Sequence, residues 1–197
     1  MTDSQLIREI KDGNVELYAV LIDRYERKIL TFIFHMLKSV QMEMLAEDLC
    51  QETFYKAFRS LKTFREVEAS FSTWLYTIAR NTVLSEMRKH KAGKVSLEES
   101  GITPHASGEA LPEQTVLRNE KVSMVRDAIN NLPEKQRSAL ILREYEQLDY
   151  QEIANILGQT VSSVKSLLFR ARASVRNQLE PYMMEPILRE YEGMNQR

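Results

Sequence analysis

Apolar residues along this chain recur at helical rather than strand spacing. From Asn14 to Leu37, the residues Leu17, Val20, Leu21, Ile29, Leu30, Ile33, Phe34 and Leu37 repeat at helical intervals, and the spacing predicts one long helix. A second stripe runs from Ala46 to Leu61 through Leu49, Phe54, Ala57 and Phe58, and a third from about Ser72 to Lys89 through Leu75, Ile78, Ala79 and Val83. Between about Ala92 and Glu113 the pattern collapses into Gly93, Ser96, Ser100, Gly101, Pro104, Ser107, Gly108 and Pro112. Structureless loops of that length are uncommon inside one domain, so the stretch reads as a tether. Helical spacing returns with Val116, Val122, Val125, Ile129 and Leu132. Pro133 then opens a further helix at its first turn, with Ala139, Leu140 and Leu142 inward. The expected fold is all-α, with two small helical domains joined by a flexible linker. The N-terminal bundle spans residues 1–91, the linker 92–113, the C-terminal helix-turn-helix domain 114–180, and an acidic tail 181–197.

The helix-turn-helix is read from Leu148 to Lys165. Asp149 and Glu152 have the spacing of a capping box, which starts the first helix. Ala154 stands where two helices cross and only a small side chain permits close approach. Gly158 suits a turn that needs positive φ, Thr160 suits a cap on the second helix, and Val164 packs back on Ile153 and Leu157. The second helix continues through Lys165, Arg170, Arg172 and Arg176 with no acidic residue among them, as expected of a helix lying in a DNA groove.

Overall charge changes the picture. The 27 Lys and Arg are offset by 28 Asp and Glu, a net charge of −1. Phosphate neutralisation carries most of the affinity for DNA, so the chain should bind DNA weakly unless it dimerises or a larger machine helps it. Cys50 is the only cysteine, which excludes an internal disulfide and a cysteine-based zinc site. His35, His90 and His105 are scattered, with no triad or metal spacing, so neither enzyme nor metal nor cofactor is expected. A polar N-terminus and the lack of a membrane-length apolar run point to a cytoplasmic protein without membrane insertion.

Two further faces carry candidate chemistry. Asp48, Gln51, Glu52 and Tyr55 fall at i, i+3, i+4 and i+7, a polar and mostly acidic stripe. By spacing alone a solvated surface is the favoured reading. Farther on, Phe71, Trp74 and Tyr76 precede Arg80, Asn81, Arg88, Lys89, Lys91 and Lys94, with Trp74, Thr77, Asn81 and Arg88 on roughly one helical face. Rings interleaved with amides and cations suit single-stranded nucleic acid, although Phe71 and Trp74 also suit a core.

These segments together resemble the bacterial RNA polymerase sigma factors of the extracytoplasmic function (ECF) group of the sigma-70 family. Asp48-Leu49-Cys50-Gln51-Glu52-Thr53-Phe54 resembles the core-polymerase-binding motif. The segment Phe71 to Thr82 resembles the promoter-melting and −10 region. Leu132 to Arg137, followed by the helix-turn-helix, resembles the domain that reads −35. The resemblance implies that residues 1–91 are sigma region 2 and residues 114–180 sigma region 4. It implies core-polymerase contacts through Asp48, Gln51, Glu52, Phe54 and Tyr55. Contacts to −10 DNA would come from Phe64, Arg65, Trp74, Arg80, Asn81, Arg88 and Lys89. Contacts to −35 DNA would come from Ser162, Ser163, Lys165, Ser166, Phe169 and Arg170, with backbone amides at Ser162 and Ser163 meeting a phosphate. The implied partners are core RNA polymerase, promoter DNA and an anti-sigma factor. Two departures stand out: Ser162-Ser163 replaces a common Gly-Thr, and Leu167 replaces a common Arg. The competing expectation is a helix-turn-helix repressor or activator whose N-terminal bundle senses a ligand or dimerises. That protein would bind a two-fold symmetric site tightly and unaided.

Overall fold

A computed structural model describes residues 1–67, 69–98 and 123–194. The first helix, α1 (Asp3–Lys11), is one the apolar spacing did not predict. It is short, but a capping box between Thr2 and Gln5 starts it, and Leu6, Ile7 and Ile10 are buried. The long helix expected from Asn14 is divided. A 3₁₀ turn at Val15–Leu17 leads into α2 (Tyr18–Leu37). The buried stripe of α2 is Tyr18, Leu21, Ile29, Phe32, Ile33, Met36 and Leu37, whereas Val20 and Phe34 face outward. Gln41, in the left-handed region at φ 56°, turns the chain toward α3 (Ala46–Ser60). There Leu49, Phe54 and Ala57 are inside and Phe58 is partly exposed.

α4 (Phe71–Glu98) starts where Ser70 Oγ accepts the Thr73 amide at 3.2 Å. It extends beyond the expected end near Lys89, so residues 92–98, read as linker, are helical. The rest of the expected linker, 99–113, lies outside the described residues. α2, α3 and α4 pack on one another, and Leu75, Ala79 and Val83 are fully buried between them. At about 1.5–3 kcal/mol for each large apolar side chain removed from water, this is what holds the bundle together.

The second unit begins with α5, described over residues 123–130. The expected start of this helix at Val116 lies outside the described residues. Pro133 is the N-cap of α6 (Glu134–Glu144), one place earlier than its expected first-turn position. The buried Arg137 donates to the carbonyls of Asn130 (3.0 Å) and Leu132 (3.2 Å), satisfying acceptors left free where α5 ends. α7 (Tyr150–Leu157) and α8 (Val161–Met194) form the helix-turn-helix. α8 runs through Pro181, so most of the expected separate tail continues this helix; residues 195–197 lie outside the described residues.

The two units touch. α4 packs on α7 and α2 on α6. Tyr76 Oη donates to the Glu146 carboxylate, Arg80 pairs with Glu134 at 2.7 Å, and the His35 and Tyr145 rings lie 4.0 Å apart.

Candidate nucleic-acid interface

The helix-turn-helix is built as its spacing required. Asp149 accepts the Glu152 amide at 2.8 Å and Glu152 accepts the Asp149 amide at 2.9 Å, closing the capping box. Gly158 is left-handed at φ 59°, and Ala154 is buried at the crossing. Thr160 Oγ1 accepts the Ser163 amide at 3.2 Å and so caps α8. Val164, Leu168 and Ala171 are buried, which fixes the rotation of α8. The opposite face then carries Ser162, Lys165, Ser166, Phe169 and Arg170 at i, i+3, i+4, i+7 and i+8, all exposed. Phe169 is 75% exposed, a single apolar ring on an otherwise polar face.

Three expectations change here. The Ser163 amide is taken by Thr160, so it is not open to a phosphate, and Ser163 Oγ bonds Gln159 at 3.0 Å. Arg172 leaves the basic strip, because its guanidinium pairs with Glu144 at 2.8 Å. Leu167, the departure from Arg, packs half-buried against the core, away from the exposed face.

In the first unit, α3 turns Asp48, Gln51 and Tyr55 outward, and Tyr55 is 61% exposed. Glu52 is half-buried and pairs with Lys56 at 2.7 Å. Phe54 is buried and cannot share that outer face; its carbonyl accepts from Tyr18 Oη at 2.7 Å. Beside the face, a groove of about 690 Å³ separates α2 from α3, with Ile22, Leu30, Phe54 and Phe58 among its lining. The α2 contribution to this groove left no distinct mark in the sequence, since Ile22 and Leu30 sit in a stripe that otherwise reads as core. Cys50 also lies there, and burial pushes its thiol up to about 11.

The −10 set divides by burial. Phe64 and Phe71 are core, and Trp74 is half-buried against both, with ring centroids 4.8 Å and 5.8 Å away. Tyr76 is fully buried. Arg65, Asn81, Arg88 and Lys89 are exposed, Lys89 pairing with Glu86 at 2.9 Å. Arg80 is not available: its side chain is 11% exposed and held by Glu134 of the other unit. That Glu134 and Glu146 would meet α4 was not legible, because carboxylates near helix ends ordinarily serve the helix dipole.

Residues 21–93 match the family model for sigma-70 region 2, and residues 123–175 match the model for sigma-70 region 4. The chain is 35% identical to the RNA polymerase sigma-H factor of Pseudomonas aeruginosa, over 93% of this chain and 96% of that protein. It is 33% identical to the ECF RNA polymerase sigma-E factor of Haemophilus influenzae, over 93% of this chain and 98% of that one. Among solved structures it resembles the sigma factor RpoE in a co-crystal with the anti-sigma factor NepR from Bartonella quintana. There the TM-score is 0.62 at 25% identity, covering 83% of this chain and 96% of that one.

Proposed function

The chain belongs to the sigma-70 family, in its extracytoplasmic function group of RNA polymerase sigma factors, and from that premise we propose how its residues divide the work of promoter-directed transcription initiation. The competing expectation of a ligand-sensing repressor does not account for sigma regions 2 and 4 following one another in order.

The exposed face of α8 supports the reading most strongly. A helix entering the major groove presents side chains from its N-terminal turns to base edges. Lys165 and Arg170 supply donors suited to guanine, Ser166 bonds either base type, and Phe169 offers an apolar surface to a thymine methyl. The first unit docks on core polymerase through Asp48, Gln51, Glu52 and Tyr55. The adjacent α2–α3 groove receives an apolar element, and Phe54 supports that groove from below. Arg65, Asn81, Arg88 and Lys89 lie where a separated strand would be held. Trp74 adds a half-open ring, and Arg80 joins once Glu134 releases it. The chain acts by binding and carries out no covalent step; it works in the cytoplasm, where polymerase is. An anti-sigma factor is the regulatory partner, as the RpoE–NepR pair suggests.

The test is run-off transcription with purified core polymerase. Arg170→Ala removes one base or phosphate contact of about 1–3 kcal/mol, so −35-dependent initiation should fall roughly five- to 150-fold while core binding persists. Equal loss of core binding would contradict this division of labour, and tight binding to a palindromic duplex without polymerase would overturn the role itself.

A further inference from the structure

A cavity opens at the seam between the two units, beside the His35–Tyr145 contact. It measures about 390 Å³, and its lining includes His35 of α2, Lys38 just beyond that helix, Val125, Arg126 and Ile129 of α5, and Tyr145 at the end of α6. Three of its eight lining side chains are basic. Among the described residues none of the three forms an ion pair with a carboxylate, and Glu43 is the one acid close enough to steady Lys38. Burial, then the charges of Lys38 and Arg126, hold the His35 imidazole below its ordinary value. Burial and Arg126 likewise hold the Lys38 ammonium down. Closure of the two units therefore sets the Lys38 and Arg126 charges against one another and against protonation of His35, offset among the described residues by Glu43 and by the Phe34 ring, 5.1 Å from Lys38 Nζ. Natural structures keep such conflicts mainly where something else resolves them. Apart from Asn130, the remaining lining is apolar or aromatic: Val125, Ile129, Ile141 and the Tyr145 ring, which lies 4.0 Å from the His35 ring at a tilt of 34°.

We propose that this cavity binds a nucleoside phosphate, whose phosphates lie among His35, Lys38 and Arg126 and whose planar base rests on the apolar wall, and that its occupation holds the two units closed. Phosphate oxygens accept charge-assisted hydrogen bonds from Lys38 and Arg126, a bound phosphate favours proton uptake by the His35 imidazole between them, and the volume lies in the range of small-molecule sites. Because both units build the pocket, its ligand binds the closed arrangement and favours it by mass action. The inference concerns the free chain and does not depend on the promoter-directing role.

The full chain should be titrated calorimetrically with ADP, with pyrophosphate and with potassium chloride at matched ionic strength, and its melting temperature followed in parallel. ADP should bind one to one, raise the melting temperature and raise the pH at which His35 titrates by NMR. Pyrophosphate, lacking the planar part, should bind more weakly. Arg126→Gln and Lys38→Gln should each weaken ADP by about tenfold or more, the loss expected for one hydrogen bond to a charged group. Arg126→Gln removes a charge that repels Lys38, so that unliganded variant should melt no lower than wild type. Val125→Glu, which sets a carboxylate in the pocket, should abolish ADP binding with the fold retained. The proposal falls if ADP does not saturate at millimolar concentration, if the variants bind it unchanged, or if chloride reproduces its effect. Pyrophosphate binding as tightly as ADP would overturn the nucleoside assignment.

Discussion

At the scale of single residues, burial decides which side chains can meet a partner. Cys50 lies within the proposed polymerase-binding motif, and a lone thiol there invites a redox role. Its environment argues against one: burial, then the neighbouring Glu26 charge, push the thiol up to about 11. The thiolate is the reactive form, so at neutral pH only about one thiol in ten thousand is competent. Native protein should react with iodoacetamide far more slowly than urea-unfolded protein, by mass spectrometry. Equal rates would restore Cys50 as a sensor. Residues of one motif can thus have opposite environments. Phe54 and Tyr55 are adjacent in sequence, yet one is core and the other is 61% exposed.

At the scale of elements, the helix-turn-helix was the most legible part of the chain, because each of its marks has a local cause. A capping box, a small residue at a crossing and a left-handed glycine are specified within a few residues. Gly158 supplies a direct test. A Cβ built there meets nothing within 4 Å, so substitution by alanine carries a backbone penalty alone. Gly158→Ala should cost about 1–2 kcal/mol by urea denaturation. Gly158→Asn should cost less, since asparagine enters the left-handed region more readily. Equal effects would mean that the turn does not constrain φ. Less legible was α1, whose three buried residues sit in nine positions, too few for periodicity to stand out. The division of the long helix at Val15–Leu17 was also hidden, because a 3₁₀ turn keeps apolar residues near helical spacing. The −10 rings were ambiguous for a different reason: Phe64, Phe71 and Trp74 form one cluster, and aromatic residues serve cores and bases alike.

At the scale of the whole molecule, the contacts between the units were not legible at all, since they join residues after 130 to side chains of α2 and α4 far away in sequence. Their consequence is a closed form in which Glu134 holds the Arg80 guanidinium. Arg80→Ala and Glu134→Gln should therefore be non-additive in stability by about 0.5–3 kcal/mol in a double-mutant cycle, as for partners in contact. Additive losses would mean that the pair does not form in solution. The Tyr76–Glu146 contact gives the closed form a dependence on pH. Desolvation raises the Glu146 carboxyl above its ordinary value, although Tyr76 and Lys28 pull it back down. A carboxyl with a raised value favours closure while protonated. Its contribution is full below the unfolded value of 4.5 and is lost as pH rises through the folded value. Once charged, Glu146 therefore works against closure. Glu146→Gln keeps an acceptor for Tyr76 and removes the charge. The variant should be more stable than wild type at pH 7, and the gain should shrink toward acid as wild-type Glu146 protonates. Thermal melts of both proteins between about pH 4 and pH 8 read this directly, with His35 and its neighbours Lys38, Arg126 and Tyr145 common to both. A gain that stayed constant across the range would show that Glu146 titrates at its ordinary value, and so that the units do not bury it.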